Sequence, residues 1–107
     1  MIDDRSPVWS TLERALTERR AVRASYHGRE RVLCPHVLGW KNGRAKVLAY
    51  QAGGTRSEGA LAEHPRQRWR CLFVDEVEDA VITEDRWESA ENYSPKTNGI
   101  DELELAV

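Results

Sequence analysis

Cysteine is scarce in this chain: its 107 residues include two, Cys34 and Cys71. Two thiols cannot build a disulfide scaffold or a zinc site of four ligands. Each sits in an apolar run, which fits buried free thiols in a reducing compartment, although two neighbouring strands would bring a bridge within reach. Long apolar runs are also missing. None exceeds four residues, as in Cys71-Leu72-Phe73-Val74, against the roughly 18 a membrane span needs. Met1-Ile2-Asp3-Asp4 is acidic with no apolar segment behind it, so it does not read as a secretory leader. A cytoplasmic protein without a membrane partner is expected.

Catalytic signatures are absent too. Gly53-Gly54 stands without the strand, helix and lysine that a phosphate-cradling loop requires. No His-x-x-x-His or Cys-x-x-Cys pair occurs, and His27, His36 and His64 are scattered. No motif sets a base beside Ser25 or Cys34. The acids of Asp75-Glu76-Val77-Glu78-Asp79 read as a solvated run rather than as paired carboxylates. The chain is therefore expected to be no enzyme, and to use no metal and no cofactor.

What is present is an uneven charge distribution. Residues 1–50 carry ten Lys/Arg and five Asp/Glu, and the remainder carries six and thirteen, so the halves stand near +5 and −7. Either the halves neutralise each other across strands, or a basic face awaits an anion.

Residues 6–20 predict a helix, capped by Ser6 with Pro7 at its first position, and Ser10 with Glu13 offers a second start. Trp9, Leu12 and Leu16 form its apolar stripe. From residue 21 the period changes to two. Val22, Ala24 and Tyr26 face one way, Arg23 and Ser25 the other. His27 to Glu30 reads as a turn, and Arg31 to Leu38 as a second strand that Pro35 must bend, bulge or confine to an edge. Asn42-Gly43 signals a hairpin into Arg44–Tyr50. Residues 51–67 read as a long loop, followed by strands over 69–74 and 77–83, with Leu103 to Val107 available as a last one. One N-terminal helix over 1–20, a β-domain over 21–83 and an acidic extension over 84–107 is the expected organisation. A meander of five or six short strands gains most by curling into a small barrel that hides its edges. Two cations stand out on apolar strand faces: Arg31 beside Leu33 and Pro35, and Arg70 beside Leu72 and Val74. A guanidinium so placed either pairs with an acid or receives an anion. His36, beside a proline in a strand, is a further candidate for a pocket.

The stretch from Leu12 to Thr83 resembles the WYL domain. The resemblance runs through the basic helix end Glu18-Arg19-Arg20, the strand end Ala24-Ser25-Tyr26, and Arg29 to Gly39 with its arginines and Pro35. It continues through Asn42-Gly43-Arg44 and the closing strand Arg70-Cys71-Leu72-Phe73-Val74-Asp75. Where the family has Trp-Tyr-Leu this chain has Ala45-Lys46-Val47, and Phe73 and Glu76 replace two further arginines. The resemblance implies an Sm-like or SH3-like barrel and a bacterial regulatory module that senses nucleotide or single-stranded nucleic-acid ligands. Tyr26, Arg31 and Arg70 are the matched positions expected to bind such an anion, with Ser25 and His36 added from the strand pattern. Twenty residues before the first strand leave no room for a helix-turn-helix, so the output is expected to pass through a partner. The alternative is a protein-interaction or dimerisation module that uses an open strand edge or the acidic tail and has no such ligand.

Overall fold

The computed structural model describes residues 7–56, 59–60, 68–90, 92–93 and 100–107. Helix α1 spans Pro7–Glu18 and buries Trp9, Leu12, Ala15 and Leu16. Proline suits the first helical position because the N–H there has no partner to lose. The helix runs through Ser10 and Glu13 without restarting, and Ser6 lies outside the described residues. It stops at Arg19, whose φ is 52°. The Arg20 N–H donates to the Ala15 carbonyl at 2.8 Å and the Arg19 N–H to that of Leu16 at 3.3 Å. This is the bond pair of a Schellman stop, with an arginine where glycine is usual.

Seven strands follow among the described residues: β1 Val22–Tyr26, β2 Arg29–Lys41, β3 Arg44–Arg56, β4 Gly59–Ala60, β5 Trp69–Phe73, β6 Val77–Ile82 and β7 Glu102–Ala106. They pair antiparallel in the order β4-β3-β2-β1-β6, with β5 also on β3 and β7 on β2. The described residues are thus mainly β with one α-helix. Asn42 and Gly43 have φ of 51° and 81°, the mirror-image turn whose twist matches that of the strands it joins. His27 and Gly28 repeat it, so Arg29 and Glu30 already belong to β2 rather than to a turn.

The expected loop over 51–67 is corrected in part. Gln51 to Arg56 prolong β3, and Thr55 and Arg56 pair back to Ala60 and Gly59. Residues 57–58 and 61–67, His64 among them, lie outside the described residues. Two glycines weaken a strand, but β2 reaches far enough to supply Gly53 and Gly54 with partners in Val32 and Arg31. Pro35 sits in a central strand at a register shift between Pro35 and Val37. On the other edge of β2, β1 pairs as far as Leu33 and β7 begins at Val37. The residue that cannot donate falls between two partners.

The sheet has two occupied faces. The inner face packs Val22, Ala24, Tyr26, Leu33, Leu38, Val47, Ala49, Leu72 and Val77 against α1. The outer face carries Cys34, Tyr50, Val37 and Leu48, and the chain after Thr83 covers it with Trp87, Ala90, Tyr93 and Ile100. β5 and β6, the far ends of the sheet, are joined by the 3-10 turn Val74–Glu76. No ladder pairs β5 with β6 among the described residues, so the sheet is not closed.

Candidate functional site

The inner face ends in a polar group. Arg31 pairs with Ala24 of β1, and Arg70 pairs with Ala49 of β3. Cross-strand partners share a face, so both arginines sit on the side that carries the main core. Arg31 is 1% exposed. Its guanidinium donates to the Tyr26 carbonyl at 3.3 Å and lies 5.2 Å from the Tyr26 ring centroid. Tyr26 in turn reaches across the curl, its hydroxyl accepting the Phe73 N–H at 3.2 Å. Burial raises the Tyr26 pKa, so the phenol stays a neutral donor and acceptor. Arg70 is half-buried and donates to the Trp69 carbonyl at 2.8 Å.

A fourth polar side chain shares this face. Gln51 is fully buried, pairs with Leu33, and donates to the Gly53 carbonyl at 3.1 Å. Reading 51–67 as a loop hid it. The signal was present in the alternation Val47, Ala49, Gln51 along one strand face.

Tyr26 and Arg31 are therefore in contact on one face, and Arg70 lies on the same face two strands away, on β5. Ser25 and His36 do not join them. Ser25 points away with Arg23 and sits between Glu30 of β2 and Glu78 of β6, an anionic setting. His36 lies on the outer face, 1% exposed, with Trp87 stacked at 4.5 Å, Trp69 edge-on at 4.8 Å and Tyr93 at 4.9 Å. Its Nδ1 donates to the Cys34 carbonyl at 2.7 Å, which leaves Nε2 to accept the Ser89 hydroxyl at 2.9 Å. Burial holds the imidazole below its usual pKa. The Cys34 carbonyl opposes that shift and the Arg19 charge adds to it. His36 thus serves the packing of the C-terminal chain.

The acids after β5 have partners. Arg44 binds Asp75 at 2.7 Å and Glu76 at 2.9 Å, and its guanidinium lies 3.7 Å from the Phe73 ring centroid. Lys46 lies 4.5 Å from the same centroid. Glu76 also meets His27, and these two contacts hold its carboxyl below the usual range. The residues standing in place of the two family arginines thus engage Arg44 and Lys46 of β3, and Glu76 also meets His27 of the first hairpin. Cys34 and Cys71 are unbridged. Burial pushes the Cys34 thiol up to about 11, so it is no nucleophile at neutral pH. Among the described residues no cluster of His, Cys, Asp and Glu has the makings of a metal site, and no helix is long and apolar enough to cross a membrane.

Comparison with curated proteins and with solved structures gave no match. A family model, that of the WYL domain, matches residues 7–82, from the first turn of α1 to the end of β6. Since that match takes in well over half of the sequence, the chain belongs to the WYL domain family, whose members are regulatory, ligand-sensing domains.

Proposed function

We propose that this chain is a non-catalytic sensor that binds an anionic ligand, a nucleotide or a short single-stranded nucleic acid, and acts through a partner protein. The observation that carries this reading is that Arg31, Arg70 and Tyr26 share the inner face of one curled sheet, with Arg31 held against Tyr26. Guanidinium groups bind phosphate through paired N–H donors, and a tyrosine offers a ring for a base to stack on. Arg70, being half-buried, is the accessible end of the group, and Arg31 lies deeper. Gln51 adds a buried amide on the same face, able to discriminate between polar ligand edges. The resemblance to Sm-like and SH3-like barrels is part of the proposal. The 3-10 turn joining the ends of the sheet and the bond from Tyr26 to Phe73 across the curl support it. So is the division into a core over 21–83 and an extension over 84–107.

The test is a salt titration of the whole protein with a fluorescently labelled single-stranded oligonucleotide and with nucleotides. Binding is expected at low salt and should weaken as salt rises. Arg70→Ala should lower affinity about tenfold, as loss of a charge-assisted bond does, and should flatten the salt slope by about one. No binding at low salt, or full affinity in Arg31→Ala with Arg70→Ala, sinks the reading.

One observation favours the interaction-module alternative. Among the described residues β6 pairs with β1 alone, leaving an edge with Val81 61% exposed beside Ser10, Thr11 and Arg14 of α1. A concentration series of molar mass tests it, because an edge-paired dimer dissociates on dilution and a strict monomer does not.

A further inference from the structure

The far half of β2 is built to receive a strand along its edge. β1 stops pairing at Leu33, so the edge of β2 from Val37 onward would be open, and β7 takes it. At Gly39 the approach is so close that a Cβ there would lie 2.1 Å from the Glu102 carbonyl oxygen and 2.5 Å from Cγ2 of Ile100. Any other residue would push the crossing strand away. The remaining anchors are mostly main-chain bonds, which do not depend on the visitor's side chains. The Trp40 carbonyl accepts the Asp101 N–H at 2.8 Å, the His36 carbonyl accepts the Val107 N–H at 3.0 Å, and the Cys34 sulfur accepts the Glu88 N–H at 3.3 Å. Charge adds selectivity: Lys41 meets Asp101 at 3.2 Å and Arg23 meets Asp85 at 3.0 Å. The resident strand is shallow, with Leu103 52% exposed and four of the five residues of β7 open to solvent.

We propose that the β2 edge at Val37–Trp40, floored by Val37, Leu48 and Cys71, is a docking site for an extended peptide of alternating acidic and aliphatic residues. The chain's own residues 100–107 fill it in cis. Main-chain pairing gives such a groove affinity, and alternate side chains give it preference. A partner carrying a strand of that kind competes with the resident one, and the exposed, thinly packed β7 belongs to the part of the fold that opens at least cost. This inference does not rest on the anion-binding reading, since it concerns the edge of β2 that β7 pairs with, away from Arg31 and Arg70.

The experiment uses the full chain and a fluorescent peptide with the sequence of residues 100–107. In Tyr93→Ala with Ile100→Asp, two anchors of the resident segment are lost while the groove itself is intact. That variant should bind the peptide at least tenfold more tightly than the wild type. Adding Gly39→Val should abolish the gain. A peptide with lysine in place of its three acids should bind at least fivefold more weakly. A folded variant with no gain overturns the proposal, and so does one that dimerises and excludes the peptide, because its occupant is then a second copy. Should the variant not fold, hydrogen exchange of the wild type decides. Amides of Leu103–Ala106 are expected to exchange at least tenfold faster than those of Val47–Ala49, and equal protection overturns the proposal.

Discussion

Burial of His36 links one side chain to the acid stability of the protein. Its pKa is lowered in the folded chain, first by loss of water and further by Arg19. The unfolded chain, with an ordinary histidine near ~6.5, takes up a proton that the folded chain refuses. Stability is then present above that value and is lost as pH falls through it toward the lower folded pKa. Thermal melts from pH 7.5 to 5 should show a falling midpoint in the wild type and a shallower fall in His36→Gln. Equal slopes would refute this. Glu76 and Asp85, both lowered by partners, act in a more acidic range and leave this window to histidine. Tyr26 supports a second prediction. Tyr26→Phe deletes the acceptor of the Phe73 N–H and should cost about 1 kcal/mol in a denaturant titration, with the far-UV spectrum unchanged. At this scale the sequence was partly legible. A period of two assigned Tyr26, Arg31 and Arg70 to faces correctly, because apolar neighbours mark the inner side. It said nothing of which loop or tail would arrive on the outer side, so the aromatic shell of His36 stayed hidden. The nearest of those rings in sequence, Trp69, is thirty-three residues away from it.

Elements announced by local chemistry were the legible ones. Asn42-Gly43 fixed a hairpin, and the stripe of Trp9, Leu12 and Leu16 fixed a helix, because each signal lies within a few residues. The end of β3 was misread because glycine suggests a loop, whereas the length of β2 decides whether a ladder forms there. Pro35 was read as a bend, a bulge or an edge, and it occupies a bulge in a central strand. Two element-scale changes should behave oppositely. Gly39→Val drives Glu102 and Ile100 off β2 and should raise protease sensitivity after residue 83 while α1 persists, as read by limited digestion and circular dichroism. Arg19→Gly relieves the left-handed strain at the helix stop. It should raise unfolding free energy by about 0.5–1 kcal/mol, the strain relieved less the extra freedom of an unfolded glycine.

For the whole molecule, the basic first half and the acidic second half meet in space. Arg23 with Asp85, Lys41 with Asp101, and Arg44 with Asp75 and Glu76 tie them together on the surface. The early cations Arg23, Lys41 and Arg44 on the outer face therefore pair with later acids, whereas Arg31 and Arg70 lie on the inner face. Exposed pairs are screened by salt, so moderate salt should hardly change the melting midpoint while it weakens ligand binding steeply. The most direct test follows the side-chain Nε–Hε resonances of arginine by NMR as a single-stranded oligonucleotide is added at low salt. The account predicts that Arg31 and Arg70 shift together with one dissociation constant, ahead of Arg23 and Arg44. Shifts confined to Arg23 and Arg44, with Arg31 and Arg70 unmoved at saturation, would contradict it.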